Sequence, residues 1–166
     1  MSAVQIRPAT VADAARISAL IRSLSTPFFA SPDGEGTAPF LDSIGEPAIR
    51  SYVSAPNFRY LVAESARQLA GVAAMRDGCH LYHLFVAPAF QGQGLARVLW
   101  QRIRTGAASA GNEGRFTVNS SLAAVEVYRR FGFVPDGPAV VKHGVAFQPM
   151  RLAGNEDAAS RHADGG

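Results

Sequence analysis

Residues 80–103 read HLYHLFV, then APAFQGQG, then LARVLWQRI, and these three blocks decide the fold. His80 to Val86 is a short run that is apolar on both faces, the pattern of a strand with neighbours on either side. Leu95, Val98, Leu99 and Ile103 recur at helical spacing. Between strand and helix lies Gln91-Gly92-Gln93-Gly94-Leu95-Ala96. The first amides of a helix have no intrahelical acceptor. With the helix dipole they form an anion site, and glycine lets a phosphate approach the backbone closely. The small Ala96 preserves that access, and Arg97 adds a positive charge. The turn is not a Walker loop, which needs GxxxxGK[ST]. Nor is it a dinucleotide fingerprint, because Arg97 stands where a glycine or alanine is required and three antiparallel-type strands precede it.

Working outward, Arg59 to Glu64 and Leu69 to Arg76 form two strand-like runs joined as a hairpin. Val4 to Ile6 is a short strand closed by Arg7-Pro8, and Thr10 is placed to cap a helix with Asp13 in its first turn. Ile17, Leu20, Ile21 and Leu24 carry that helix over about 11–24. Prolines and glycines break up residues 25–57, leaving room for short helices near 38–44 and 47–54. A loop-rich insert of this length is usually functional. Downstream, Arg115 to Val118 is a strand, and Ala124, Val127, Tyr128 and Phe131 mark a helix ended by Gly132. Val140-Val141 and Val145 to Leu152 pair around a Lys-His-Gly turn. The order is mixed α/β in one domain over 1–153, and the small, polar residues 154–166 read as a disordered tail.

The motif Q/R-x-x-G-x-G/A after a strand and a proline-containing turn resembles the acyl-CoA signature of the GNAT superfamily, with Gln91, Gly94 and Ala96 in its fixed positions. Val118-Asn119-Ser120-Ser121 and then AVEVYRRFGF (124–133) are similar to the family segment in which an asparagine closes a strand and a helix bears tyrosine. VQIRPATVADAARI resembles the family's opening strand and helix, so the likeness spans about residues 3–152. It implies a central, mostly antiparallel sheet that splays apart, flanked by helices. It also implies acetyl-CoA as co-substrate, with the pyrophosphate on the amides of Gln91, Gly92, Gln93, Gly94, Leu95, Ala96 and Arg97. The pantetheine arm would run along Leu84, Phe85 and Val86, with Asn119 and Ser121 on the far wall. Direct acetyl transfer to an amine within a ternary complex is the implied reaction, and a homodimer is an implied assembly.

Composition narrows the field. The formal charge is +3, with 16 Lys plus Arg, but the basic residues are scattered and Lys142 is the one lysine. Nucleic-acid footprints are clustered, so duplex binding is not expected. One cysteine, Cys79, excludes an intramolecular disulfide and fits a reducing compartment. The start lacks a signal-peptide pattern, and no run reaches the ~18 to 20 apolar residues of a membrane helix. The reading is a soluble cytoplasmic protein, with neither membrane nor metal.

Amide formation from a thioester poses two proton problems. An alkylammonium of pKa near ~10.4 is neutral in about one molecule in ~2,500 at pH 7. The departing thiolate, for its part, gains from a donor. The resemblance makes Tyr128 that donor. For the acceptor, strand alternation places His80 and Tyr82 on one face with Leu84 and Val86, and His83 and Cys79 on the other. His80 is the first candidate base and His83 the second. No Asp or Glu lies between Asp77 and Glu113, so transfer through water or simple desolvation is the alternative. Cys79 reads as a small buried hydrophobe, not an acyl-enzyme nucleophile. The insert's Asp33, Glu35, Asp42 and Glu46 stand among Phe28, Phe29 and Phe40, a set able to hold an ammonium group or to be a solvated loop over a minor core. The resemblance implies that residues 25–57 and the turn near Lys142 to Val145 shape the acceptor site, while the acceptor itself, a small-molecule or peptide amine, is not encoded legibly. The competing readings are a CoA-binding regulatory module without turnover and a basic nucleic-acid-associated protein.

Overall fold

Hydrophobic alternation and helical stripes resolve, in a computed structural model that describes residues 3–152, into an open eight-stranded sheet with helices on both faces. The strands are β1 (Gln5–Pro8), β2 (Phe58–Ser65), β3 (Gln68–Arg76), β4 (His80–Val86), β5 (Phe116–Ser121), β6 (Val134–Pro135), β7 (Val140–Lys142) and β8 (Val145–Leu152). The helices are α1 (Ala14–Ser23), α2 (Ala38–Ser43), α3 (Glu46–Ser54), α4 (Leu95–Ser109) and α5 (Val125–Arg130). The sheet runs β1-β2-β3-β4-β5-β8-β6, with β7 also pairing β8. Every pairing is antiparallel except β4 with β5. Residues 154–166, expected to be a disordered tail, lie outside the described residues.

Two cores sit on the two faces. Leu99, Trp100 and Ile103 of α4 pack with Leu81, Phe116, Val118, Tyr128 and Phe133 on one side. Ile17 and Ile21 of α1 and Ile49 of α3 pack with Tyr60, Val62 and Val72 on the other. The two-residue β2–β3 turn, Ala66-Arg67, has φ of 49° and 66°. Two left-handed central residues make a type I′ turn, whose twist matches that of the flanking strands. Asp13 does more than favour a dipole: its carboxylate accepts the Thr10 amide at 2.8 Å and bonds Arg7 and Arg16. Glu64 completes this network through Arg16 at 2.9 Å.

Two local departures matter for function. β4 and β5 pair only at His80–Thr117 and Leu81–Val118, after which they part. Opposite, on β3, Met75 pairs Leu81 while Ala74 pairs His83, so Tyr82 is an inserted bulge residue. A bulge reverses alternation beyond it. The expectation that His80 and Tyr82 share a face with Leu84 and Val86 is therefore corrected. Leu81, Leu84 and Val86 face α4, whereas Tyr82 and Phe85 face the α1 and α3 side. Tyr82 and His83, adjacent in sequence, have ring centroids 4.4 Å apart. Cys79 is likewise not buried: it is exposed in the turn before β4, which begins only at His80.

Candidate active site

The β4–β5 parting leaves one edge of Tyr82–Val86 without a strand neighbour, and α4 begins just beyond it. Gly92 and Gly94 take φ of 77° and 81°, a left-handed conformation that favours glycine. Val98 donates to the Gly94 carbonyl, but among the described residues no acceptor pairs with the amides of Gly92 to Arg97. Six successive free N–H groups at the start of a 15-residue helix make an anion cradle. A Cβ built at Gly92 or Gly94 would meet no protein atom within 4 Å, so that space is open to a ligand. The Gln91 side chain turns back to donate to the Val86 carbonyl at 2.9 Å, tying the turn to the end of β4.

A cleft of about 530 Å³ runs from this cradle through the splay. Leu84, Phe85, Val86, Gln91, Gly92, Gly94, Leu95 and Ala96 line it, with Asn119 and Ser121 opposite and Tyr128 within. These are eleven of the fourteen residues singled out from the sequence. Gln93 and Arg97 do not line the cleft, and the Arg97 guanidinium sits 5.1 Å from the Phe131 ring centroid. The free amides of these two residues still belong to the cradle. His80 is the third. It stands where β4 is still paired with β5, its Nδ1 2.7 Å from Thr117 Oγ1. Burial, reinforced by Arg76, depresses its pKa to about 4. His83 is buried, with its Nδ1 3.0 Å from the Tyr60 hydroxyl oxygen. Burial holds its pKa near 3.

Tyr128 is 8% exposed, with Phe131 and Phe133 edge-on to its ring. No fully buried polar side-chain atom among the described residues lacks a partner, and none of the described residues hydrogen-bonds the Tyr128 hydroxyl. That hydroxyl therefore opens onto the cleft. Burial raises its pKa well above the ordinary tyrosine value, so it is protonated at neutral pH. Leu24, Pro27 and Phe28, brought in by the segment after α1, complete the wall beside Tyr82 and Phe85. Sequence reasoning gave the acceptor side to residues 25–57 as a whole, without singling out Pro27, and Leu24 fell outside that range. Phe28 stood out only as an aromatic in the insert.

Residues 29–153 match the acetyltransferase (GNAT) domain family. The chain belongs to this family. In fold, this GNAT protein is similar to a GCN5-related N-acetyltransferase from Rhodopseudomonas palustris, at 24% identity and a TM-score of 0.74, covering 92% of this chain and 97% of that one. It is also similar to the PaiA N-acetyltransferase of Thermoplasma acidophilum in complex with coenzyme A, at 12% identity and TM-score 0.72, over 90% and 98% of the two chains. A variant of a spermidine N-acetyltransferase from Vibrio cholerae is similar at 20% identity and TM-score 0.63, over 90% and 94%. No curated protein sequence matches the chain. Among the described residues no helix is long and apolar enough to cross a membrane, and no His, Cys, Asp or Glu cluster is arranged to hold a metal ion.

Proposed function

We propose that this GNAT protein transfers an acetyl group from acetyl-CoA to a primary amine by direct attack in a ternary complex. The observation that carries the reading is continuity: one cleft joins the amide cradle, the unpaired edge of β4 and the Tyr128 hydroxyl. The donor set fits the co-substrate. Free amides of Gly92 to Arg97 suit a pyrophosphate, and the single-sided β4 edge suits the amides of a pantetheine arm. Acetyl-CoA supplies an activated acyl thioester.

The residues then divide the work. Leu84 and Val86 exclude water from the thioester, which removes competing hydrolysis and strengthens polar contacts. The amine nitrogen forms the new C–N bond as the C–S bond breaks, and Tyr128 gives its proton to the departing sulfur. The phenol regains that proton from solvent, and the surplus proton of the amine passes to water. No carboxylate or imidazole among the described residues lines the cleft. Water and desolvation therefore carry deprotonation in this reading, and His80, outside the cleft, is not needed for it.

Calorimetric titration of acetyl-CoA into wild type and Gly94→Glu tests the cradle. Micromolar binding abolished by the glutamate, whose carboxylate would fill and repel the phosphate site, is the expected outcome. A folded wild-type protein that binds neither acetyl-CoA nor CoA would overturn the reading. Turnover of an amine panel, followed by CoA release, separates an enzyme from a binding module that needs the same cradle.

A further inference from the structure

Resting on that acetyltransferase reading, we infer that the acceptor is a primary amine carried on an aromatic ring and bearing no other charge: an arylalkylamine, not a polyamine, a lysine side chain or a free amino acid. The first observation is the charge of the wall. None of the residues lining the cleft is Asp, Glu, Lys, Arg or His. The second is where the acids at the starts of α1 and α3 and on β2 are spent. Asp13 and Glu64 are held by Arg7 and Arg16, and Glu46 pairs with Arg50. Asp33, Glu35 and Asp42 of the insert do not line the cleft.

The third observation is the shape of the end remote from the Gly92–Arg97 cradle. The β4 bulge turns Tyr82 and Phe85 to the same side, and the segment after α1 lays Phe28 against Phe85. The Phe28 and Phe85 centroids lie 6.4 Å apart and tilted by 46°. Phe28 also contacts Phe40 at 5.8 Å, and Leu24 and Pro27 close the same wall. The Tyr82 hydroxyl donates to that of Tyr52, leaving its own oxygen as an acceptor.

A polyamine would bury ammonium groups with no carboxylate to meet them, and attraction to phenylalanine faces is smaller than that desolvation. A free amino acid would bury a carboxylate with no cation. An uncharged ring, by contrast, gains both apolar burial and offset or edge contacts with Phe28 and Phe85. Because the wall favours the neutral form of the amine, it also favours the form that attacks.

The test is kcat/KM of the wild-type protein with acetyl-CoA against 2-phenylethylamine, n-propylamine, spermidine, phenylalanine and a blocked lysine amide, with calorimetric binding of acetyl-CoA in parallel. Burial of one phenyl ring predicts that 2-phenylethylamine exceeds n-propylamine by about 10- to 200-fold. Spermidine, phenylalanine and the lysine amide fall below n-propylamine. Phe28→Ala lowers the 2-phenylethylamine value about tenfold, chiefly through KM, and Phe28→Leu recovers part of it. Preference for spermidine or lysine, or equal rates for the phenyl and propyl amines, overturns this inference while leaving the acetyltransferase reading standing. Failure to bind acetyl-CoA overturns both.

Discussion

Tyr128 combines two properties that its neighbours impose together. Phe131 and Phe133 bury the ring, which raises the phenol pKa and keeps the proton in place at rest. The same dry surroundings raise the pKa of a departing thiolate, so the transfer is closer to balanced than aqueous values suggest. Tyr128→Phe keeps the ring packing and removes the proton. Its expected effect is a fall in kcat of about 10²- to 10⁴-fold with acetyl-CoA affinity and melting temperature nearly unchanged. Full activity in the variant would remove the tyrosine from the mechanism. The histidines make a separate prediction about stability. Both His80 and His83 are held neutral, at about 4 and about 3, against an ordinary value near 6.5. The unfolded chain takes up protons first as pH falls, so this contribution is complete above pH 7 and is lost through the window from 6.5 toward 4. His83 accounts for about 2 kcal/mol of that loss by pH 5. Carboxylates in the unfolded chain titrate near 4, below most of this interval. Urea unfolding at pH 7 and pH 5 measures the difference. A flat response would mean that His83 is solvated.

At the scale of elements, α4 must lie close on the sheet for its N-terminus to face the splay. Gly71 of β3 makes this approach: a Cβ there would stand 2.9 Å from Leu99 Cδ1 and 3.0 Å from the Phe85 carbonyl oxygen. Gly71→Ala is expected to cost about 1–3 kcal/mol, as overpacking does, and to weaken acetyl-CoA binding by tilting the cradle. Chemical denaturation and calorimetry on the same preparation check both effects. Most of these elements were legible in the sequence, because α1, α4 and the β2–β3 hairpin each carry a full period of apolar residues. The glycine-rich turn was legible too, since the free amides of a helix start follow from geometry alone. The bulge at Tyr82 was not. HLYHLFV is apolar on both faces, so no polar residue marks the place where alternation reverses. The short β6, Val134–Pro135, was missed for want of any period in two residues. The parallel pairing of β4 with β5 depends on a crossover through α4 that periodicity does not register.

Across the whole molecule, the acceptor wall is assembled from parts far apart in the chain. The segment after α1 carries Phe28; the Ser25 amide and hydroxyl tie its start to the Arg22 carbonyl of α1, and its far end is anchored to the final hairpin. Ala30 donates to the Gly144 carbonyl at 2.8 Å, and Phe29 bridges to Val145. Gly144 sits in the β7–β8 turn with φ of 72°, against the backbone of Glu35, Gly36 and Thr37, so close that any Cβ would collide with it. Here a side chain is excluded twice, by conformation and by space. Gly144→Ala adds about 1–2 kcal/mol of left-handed strain and forces the 29–37 segment outward. The amide cradle lies on the opposite side of the splay and shares no atoms with this contact. The variant is therefore expected to raise the KM for the amine several-fold while the acetyl-CoA Kd holds. Initial-rate kinetics with each substrate varied in turn, beside calorimetry, measure the two separately. Equal weakening of both would mean that the hairpin supports the sheet as a whole, and an unchanged KM would mean that Phe28 keeps its place without this anchor.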